Sequence, residues 1–503
     1  MKEMLYGQLL RRVGTLMSNK GHNKFTRMSV ENRNASTLAF FGDCPATWGH
    51  SPVFTVFEGG FRKPTRLCRV QPQQRENPRG MGGLMGSEWI VSTLGELVEI
   101  EMGQSPKGTE CHSTEIGTPL LNGPTEFGSY HPYPTQFTTD PKRFSKSGDI
   151  LFCVRGSTTG RMNWSDKDYA IGRGLAAFRH KEGKEYNSFL KGLIDTKLPE
   201  LLSSATGSTF PNVSKNQLHE LVITVPPLPE QQAIAHILGS LDDKIELNRQ
   251  MNATLEGMAQ ALFQSWFVDF DPVIDNALAA GKEIPEEFKA RAELRKALGE
   301  GRKPLPEDVR KLFPDSFQET KEMGWIPRGW GVAQIGELLE LAYGKALASK
   351  FREPGPCPVY GSGGIGGYHK EALVKGPGII VGRKGTVGSI FWENDDFFPI
   401  DTVFFVKQLQ EIPLYWLYQR FSLMDIASLG SDSAVPGINR NALHQQKWVI
   451  PNSEVFQKYW HLSEKRTEKL YELKEQNALL TKLRDTLLPK LISGKLRVGE
   501  IPL

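Results

Sequence analysis

Trp89-Ile90-Val91-Ser92-Thr93-Leu94-Gly95-Glu96-Leu97-Val98-Glu99-Ile100 returns later in the chain as Trp330-Gly331-Val332-Ala333-Gln334-Ile335-Gly336-Glu337-Leu338-Leu339-Glu340-Leu341. Other short phrases return in the same order. Arg155-Gly156-Ser157-Thr158-Thr159-Gly160 is matched by Arg383-Lys384-Gly385-Thr386-Val387-Gly388. Phe210-Pro211-Asn212-Val213-Ser214-Lys215-Asn216-Gln217-Leu218 is matched by Val435-Pro436-Gly437-Ile438-Asn439-Arg440-Asn441-Ala442-Leu443. A fixed order of motifs, repeated once, means two copies of one module. Two copies imply a two-part target or a two-fold symmetric partner.

After each copy the hydrophobic period changes from two to three and a half. Residues 229–270 read as a long helical segment, opened by Pro229 and Glu230, which both suit a first helical turn. Its seam runs Ile234, Leu238, Leu241, Ile245, Asn248, Asn252, Leu255, Ala259, Leu262 and Trp266. Shifted by 225 residues, the seam becomes Tyr459, Ser463, Arg466, Leu470, Leu473, Asn477, Leu480, Arg484, Leu487 and Leu491 within residues 451–497. Apolar seams with a polar interruption are the pattern of paired helices, and a buried Asn fixes their register. Each helix spans about 60 Å at ~1.5 Å per residue. The natural partner of each is the other, and antiparallel packing puts the two modules at opposite ends. Phe263, Trp266, Phe267 and Phe270 end the first helix as a cluster expected to be exposed and to bind a partner protein.

The remaining segments fall between these landmarks. Residues 87–228 and 328–450 are the two modules, built from short strands such as 150–154 and 402–406 between Gly and Pro turns. Residues 271–327 read as a charged connector with one short helix over 286–298. Residues 1–86 have no counterpart in the second copy and precede a run of Gly and Met. They read as a basic N-terminal extension, disordered or not native to the protein.

Composition bounds the rest. A chain of 503 residues, 39% hydrophobic and 23% charged, is long enough for two or three cores. No apolar run reaches a membrane span. Five scattered cysteines without a Cys-x-x-Cys pair argue against a disulfide framework or zinc site, so a cytoplasmic setting is expected. The net charge of +4 divides into +8 for residues 1–86 (13 basic, 5 acidic) and −4 for the rest. Nucleic-acid binding would therefore need local basic surfaces.

No motif assembles a catalytic centre. Gly361-Ser362-Gly363-Gly364-Ile365-Gly366 matches a dinucleotide fingerprint, but no clear helix follows it. A flexible loop close to a ligand backbone is the better reading. Asp315 with Glu319-Thr320-Lys321 imitates a metal nuclease motif, but in a charged connector rather than a strand pair. There is no phosphate-binding loop for ATP and no Asn/Asp-Pro-Pro-Tyr/Phe motif.

The repeated loops carry the positive signal. Gly lets backbone approach a ligand, Arg can bond the O6/N7 edge of guanine twice, and Ser, Thr and Asn suit phosphates. The candidate DNA contacts are Arg155, Ser157, Thr158, Thr159, Arg161, Asn212, Lys215 and Asn216 in the first copy. In the second they are Tyr360, Ser362, Arg383, Lys384, Thr386, Asn439, Arg440 and Asn441. Against this stands a purely structural reading, in which Gly and Thr build a tight turn and the Asn-rich motif packs a helix start.

The order module, long helix, module, long helix resembles the specificity subunit of Type I restriction–modification enzymes. So do the phrases Pro226-Pro227-Leu228-Pro229-Glu230-Gln231-Gln232, Leu241-Asp242-Asp243-Lys244-Ile245, Ser265-Trp266-Phe267-Val268-Asp269-Phe270-Asp271-Pro272 and Leu487-Leu488-Pro489-Lys490-Leu491-Ile492-Ser493-Gly494. The resemblance covers residues 87 to about 497. It implies an α+β chain of two mixed α/β target recognition domains, each followed by a long helix, with the helices packed as an antiparallel coiled coil. Each domain would read half of a split double-stranded DNA target. Two methyltransferase subunits would dock on the spine, and restriction subunits would join them. S-adenosylmethionine, ATP and Mg²⁺ would belong to those partners, leaving this chain non-catalytic. A stand-alone DNA-binding regulator and a protein scaffold without DNA contact are the rival readings.

Overall fold

The computed structural model describes residues 89–203, 211–299, 305–429 and 437–501. Residues 1–86, the expected extension, lie outside the described residues, as do Phe210, Val435 and Pro436 of the Asn-rich motifs.

Each module closes on itself. The opening repeat forms strand Ile90–Thr93, which pairs antiparallel with the last strand of its module, Val222–Val225. Gly331–Gln334 pairs with Lys447–Ile450 in the same way. The chain therefore leaves each module where it entered, and a proline in that hinge hands it to a long helix.

The central sheet is also duplicated. Strands Val98–Met102, Leu175–His180, Ile150–Cys153 and Met162–Trp164 lie side by side in that order, as do Leu339–Tyr343, Val403–Gln408, Gly378–Gly382 and Ile390–Glu393. Ile150–Cys153 and Gly378–Gly382 are buried along their whole length, as continuous apolar runs covered on both faces should be. The modules part company in the second sheet. It has five strands in the first module, including Thr118–Leu121 and Tyr169–Ile171, but three in the second, Gly364–His369, Cys357–Gly361 and Phe398–Pro399.

The long helices are Leu228–Phe267 and Ser453–Ile492. Asn452 caps the second by accepting the Val455 N–H at 2.9 Å. Their cross-contacts run in opposite directions along the chain. Glu230 pairs with Arg497, just past the second helix, at 2.8 Å, Asp242 with Arg484 at 2.8 Å, and Glu256 with Lys474 at 3.7 Å. The helices are antiparallel, as expected. Most of the anticipated seam is buried, from Ile234 to Ala259 on one helix and from Leu470 to Leu491 on the other. Each fully buried Leu or Ile stabilises by about 1.5–3 kcal/mol.

The polar interruption bonds the two helices to each other. The repeat sets Asn252 in register with Asn477, but antiparallel packing places Asn248 across from it. Asn248 Nδ2 donates to Asn477 Oδ1 at 2.9 Å and to Gln476 Oε1 at 2.7 Å, and Asn477 Nδ2 donates to the Ile245 carbonyl. The two-fold mate of this contact would set Asn252 against Leu473, so the pseudo-symmetry is broken at the waist.

Two apolar cores load the two ends of this pair. One joins the first module to the start of the first helix and the end of the second (Ile234, Leu238, Leu483, Leu487). The other joins the second module to the opposite ends (Phe263, Trp266, Val455, Tyr459). Here the structure corrects the sequence reading. Phe263, Trp266, Phe267 and Phe270 are not an exposed partner patch; they are buried to within 6% of complete. Phe267 meets Tyr459 edge-on at 5.0 Å, and Phe270 meets Trp330 at 5.7 Å. The periodicity showed an apolar cluster without showing that the chain itself returns to cover it.

Residues 271–327, expected as a charged connector, are largely folded. Helices Asp271–Ala279 and Glu286–Ala297 are locked by Asp271, which is buried and takes Arg291 at 2.8 Å and Arg295 at 2.9 Å. Phe317–Thr320 and Gly324–Pro327 form a hairpin, so Glu319 lies within a strand pair after all, and Asp315 just before it. Asp315 is engaged by Lys282 at 2.7 Å.

His180 ties the first module to the first helix. Its ring is buried, with Nε2 3.1 Å from Gln231 Oε1 and Nδ1 accepting the Glu182 N–H at 3.1 Å. A ring that accepts at Nδ1 is neutral, and burial lowers its pKa below the ordinary imidazole value. Protonation then favours the unfolded chain. The associated stability is complete above about pH 6.5 and is lost as pH falls from there toward the folded-state value. His180→Gln should flatten the decline of stability between about pH 7 and 5 relative to the parent chain. Denaturant titrations across that range would check it, and identical slopes would refute it.

Candidate nucleic-acid interface

The strand Ile150–Cys153 ends in buried Val154 and then releases Arg155 to solvent. The turn that follows is built by Gly156 and Gly160, at φ 94° and 92°, conformations that L side chains rarely adopt. The Thr159 hydroxyl lies 2.8 Å from the carbonyls of Gly156 and Pro211. The loop is thereby tied to the Asn-rich segment, where Arg155 and Asn212 form an isolated bridge and the Val213 N–H donates to Val154 O at 3.0 Å. Lys215 and Asn216 are exposed in the first turn of helix Lys215–Glu220, which Ser214 caps through Gln217.

The second module repeats this joint. Gly378–Gly382 ends at Arg383, Gly385 and Gly388 turn at φ 79° and 80°, and Lys384 bridges Gly437. The Ile438 N–H donates to Arg383 O at 3.1 Å. The hydrogen bonds therefore align Arg155 with Lys384, and Val154 with Arg383. The sequence had set Arg155 against Arg383, because a one-residue shift keeps the Arg letters together. Backbone pairing decides the matter for Lys384.

The structure sorts the other candidates. Ser157, Thr158 and Thr386 are exposed on the two loops. Ser362 joins the second loop, since its Oγ lies 3.0 Å from where a Cβ on Gly385 would sit. Arg161 is drawn away, its guanidinium donating to Pro124 O at 3.3 Å and Phe127 O at 3.2 Å. Asn439 is a helix cap, accepting the N–H groups of Asn441 and Ala442, so its side chain follows the structural reading. Arg440 and Asn441 open that short helix beside Arg383. Tyr360 is a miss: it is buried, and its hydroxyl donates to Glu393 at 2.8 Å. Burial and that carboxylate push the hydroxyl pKa far above its ordinary value. The Gly-rich run 361–366 is a hairpin between Cys357–Gly361 and Gly364–His369 rather than a flexible loop.

Two groups escaped the sequence reading. Arg173 stands exposed in Gly172-Arg173-Gly174, whose Gly174 carbonyl accepts the Val154 N–H at 2.9 Å, so Arg173 neighbours Arg155. The Gly-Arg-Gly triplet was a usable signal. Tyr343 ends strand Leu339–Tyr343, and two guanidiniums pack on its ring, Arg383 at 4.8 Å and Arg440 at 5.1 Å. Nothing in its local sequence announces this. Each module thus offers a rigid strand end with an exposed basic side chain, hydroxyls and open backbone, an arrangement suited to a polyanion. Among the described residues no group of His, Cys, Asp and Glu is placed to hold a metal ion, and no helix is long and apolar enough to cross a membrane.

Comparison with known proteins places both modules in one family. The Type I restriction modification DNA specificity domain matches residues 86–257 and again 327–482. The chain is similar to the Type I restriction enzyme HindI specificity subunit of Haemophilus influenzae, 25% identical over 417 residues that cover 71% of this chain and 88% of that protein. It is similar also to the Type I restriction enzyme MjaIX specificity subunit of Methanocaldococcus jannaschii, 27% identical over 372 residues, 71% of this chain and 80% of the other. Among solved structures, the crystal structure of a Type I restriction–modification system S subunit from M. genitalium shares the fold at a TM-score of 0.50. It is 18% identical, over 82% of this chain and 98% of that one.

Proposed function

The chain belongs to the Type I restriction–modification DNA specificity family, and on that premise we propose that it is the sequence-reading subunit of such a complex. Each module reads one half of a split double-stranded DNA target. The antiparallel helices set the distance between the halves. The observation that carries this is the duplicated joint: Arg155 and Lys384 occupy the same backbone position, at opposite ends of one rigid spine. The names of the relatives favour a specificity subunit over a stand-alone regulator.

Partners follow from the same reading. Methyltransferase subunits, with restriction subunits joining them, would hold S-adenosylmethionine, ATP and Mg²⁺ and perform the chemistry. The buried aromatic cluster is not their docking surface. The waist of the first helix is better suited, because Leu247, Met251 and Met258 share one face there and are exposed at 47%, 39% and 41%.

Arg155→Ala is expected to weaken discrimination at one half-site by about tenfold and to leave the other intact. Lys384→Ala should do the same at the other half. Mapping methylated bases by long-read sequencing, in cells co-expressing the chain with its methyltransferase subunit, reads both halves at once. Equal loss at both halves in each single variant would overturn the proposal.

A further inference from the structure

The two reading surfaces are not chemically alike, although their backbones are. In the second module Tyr343 is 48% exposed at the strand end, and the guanidiniums of Arg383 and Arg440 lie 4.8 and 5.1 Å from its ring centroid. The ring is itself held edge-on by buried Phe404 at 5.0 Å. Arg383 is further fixed by donating from Nη1 to the Asp401 carbonyl at 3.1 Å. Arg440 is the first residue of a helix capped by Asn439, and among the described residues no acidic side chain forms an ion pair with it. Two like charges thus pack on one aromatic ring. Stacking holds each cation in place but does not neutralise it.

Among the described residues the first module has no such device. Met102 stands where Tyr343 does at the end of the matching strand, Val154 where Arg383 does, and Lys215 where Arg440 does. A lysine there is a mobile point charge, whereas a stacked guanidinium is a planar fork of fixed direction. That fork matches the O6 and N7 acceptors of guanine in the major groove.

We propose that Arg440, oriented by Tyr343, reads a guanine in the half-site of the second module, and that the first module uses no equivalent contact. Tyr343 is a positioning residue: it fixes the guanidinium rather than touching the base. The proposal rests on the DNA-reading function proposed above and adds a residue and a base to one half of the target.

The test is selection of bound duplexes from a randomised library by the full chain, co-expressed and purified with its methyltransferase subunits. The parent complex should enrich a split motif with a fixed guanine in one half. Tyr343→Ala should lower the preference for that guanine by on the order of ten- to a hundredfold and leave the other half unchanged. Tyr343→Phe keeps the ring and should restore the preference. Arg440→Gln leaves the ring and the sheet in place, so its loss of the same guanine supports the assignment even if Tyr343→Ala does not fold. An unaltered motif in a folded Tyr343→Ala or Arg440→Gln complex would overturn the proposal while leaving the DNA-reading function standing. Equal loss in Tyr343→Phe and Tyr343→Ala would overturn the role of the ring. A parent complex that enriches no split motif would overturn both.

Discussion

Trp266→Ala is expected to destabilise the second half of the molecule by about 3–5 kcal/mol, the usual cost of removing a buried tryptophan. The indole is 1% exposed. It stands edge-on to Phe313 at 4.9 Å and tilts against Tyr459 at 6.3 Å. It thus joins the first long helix, the folded connector and the second long helix. Alanine would leave a void at this three-way junction, and neighbours anchored on separate elements cannot all collapse into it. The equilibrium should shift by roughly two to three and a half orders of magnitude, at about 1.4 kcal/mol per tenfold. Urea unfolding followed by far-ultraviolet circular dichroism should show a lower midpoint. An exposed docking aromatic would behave oppositely, with stability within about 0.5 kcal/mol of the parent and weakened partner binding. Unchanged stability would therefore restore the surface-patch reading.

The second large effect concerns the spine as a ruler. The two cores leave a waist between them, since one reaches Ile245 and Leu480 and the other begins at Ala259 and Tyr459. Deleting residues 249–255 together with 470–476 removes a facing heptad from each helix while keeping the Asn248–Asn477 contact. The modules should approach by about 10 Å at ~1.5 Å per residue. Seven residues are close to two full turns, leaving a mismatch of only ~20°, so both modules keep nearly the same heading. The half-sites should stay the same while the gap between them shrinks by about three base pairs at ~3.4 Å each. Selection of bound duplexes from a randomised library measures that gap directly, independently of Met251, which the deletion takes from the proposed docking face. A folded deletion variant that binds at the original spacing would remove the ruler from the proposed function.

The fold was legible wherever a local rule is strict. Pro229 and Glu230 open the first long helix as their chemistry requires, and the seam residues are largely those that are buried. The repeat correctly implied two modules of one design. The site was legible in outline only. Arg155, Ser157, Thr158, Lys384 and Thr386 do sit on paired strand-end loops. Arg161, Asn439 and Tyr360 carry side chains able to bond a base or phosphate, but own-chain partners take those bonds. Sequence records what a side chain can bond; packing decides which partner reaches it first.

By itself, then, the sequence determined the duplication, the two long helices and the polar break in their seam. These follow from periodicity and capping, which act within a few residues. Only the tertiary structure decided that Asn248 rather than Asn252 faces Asn477, because an antiparallel pair reverses the register that a repeat offset preserves. It decided that Phe263, Trp266, Phe267 and Phe270 are core, because residues far along the chain, Phe313, Trp330, Trp416 and Tyr459, close over them. And it decided that Lys384, not Arg383, answers to Arg155, because the match lies in backbone hydrogen bonds that carry no side-chain signature.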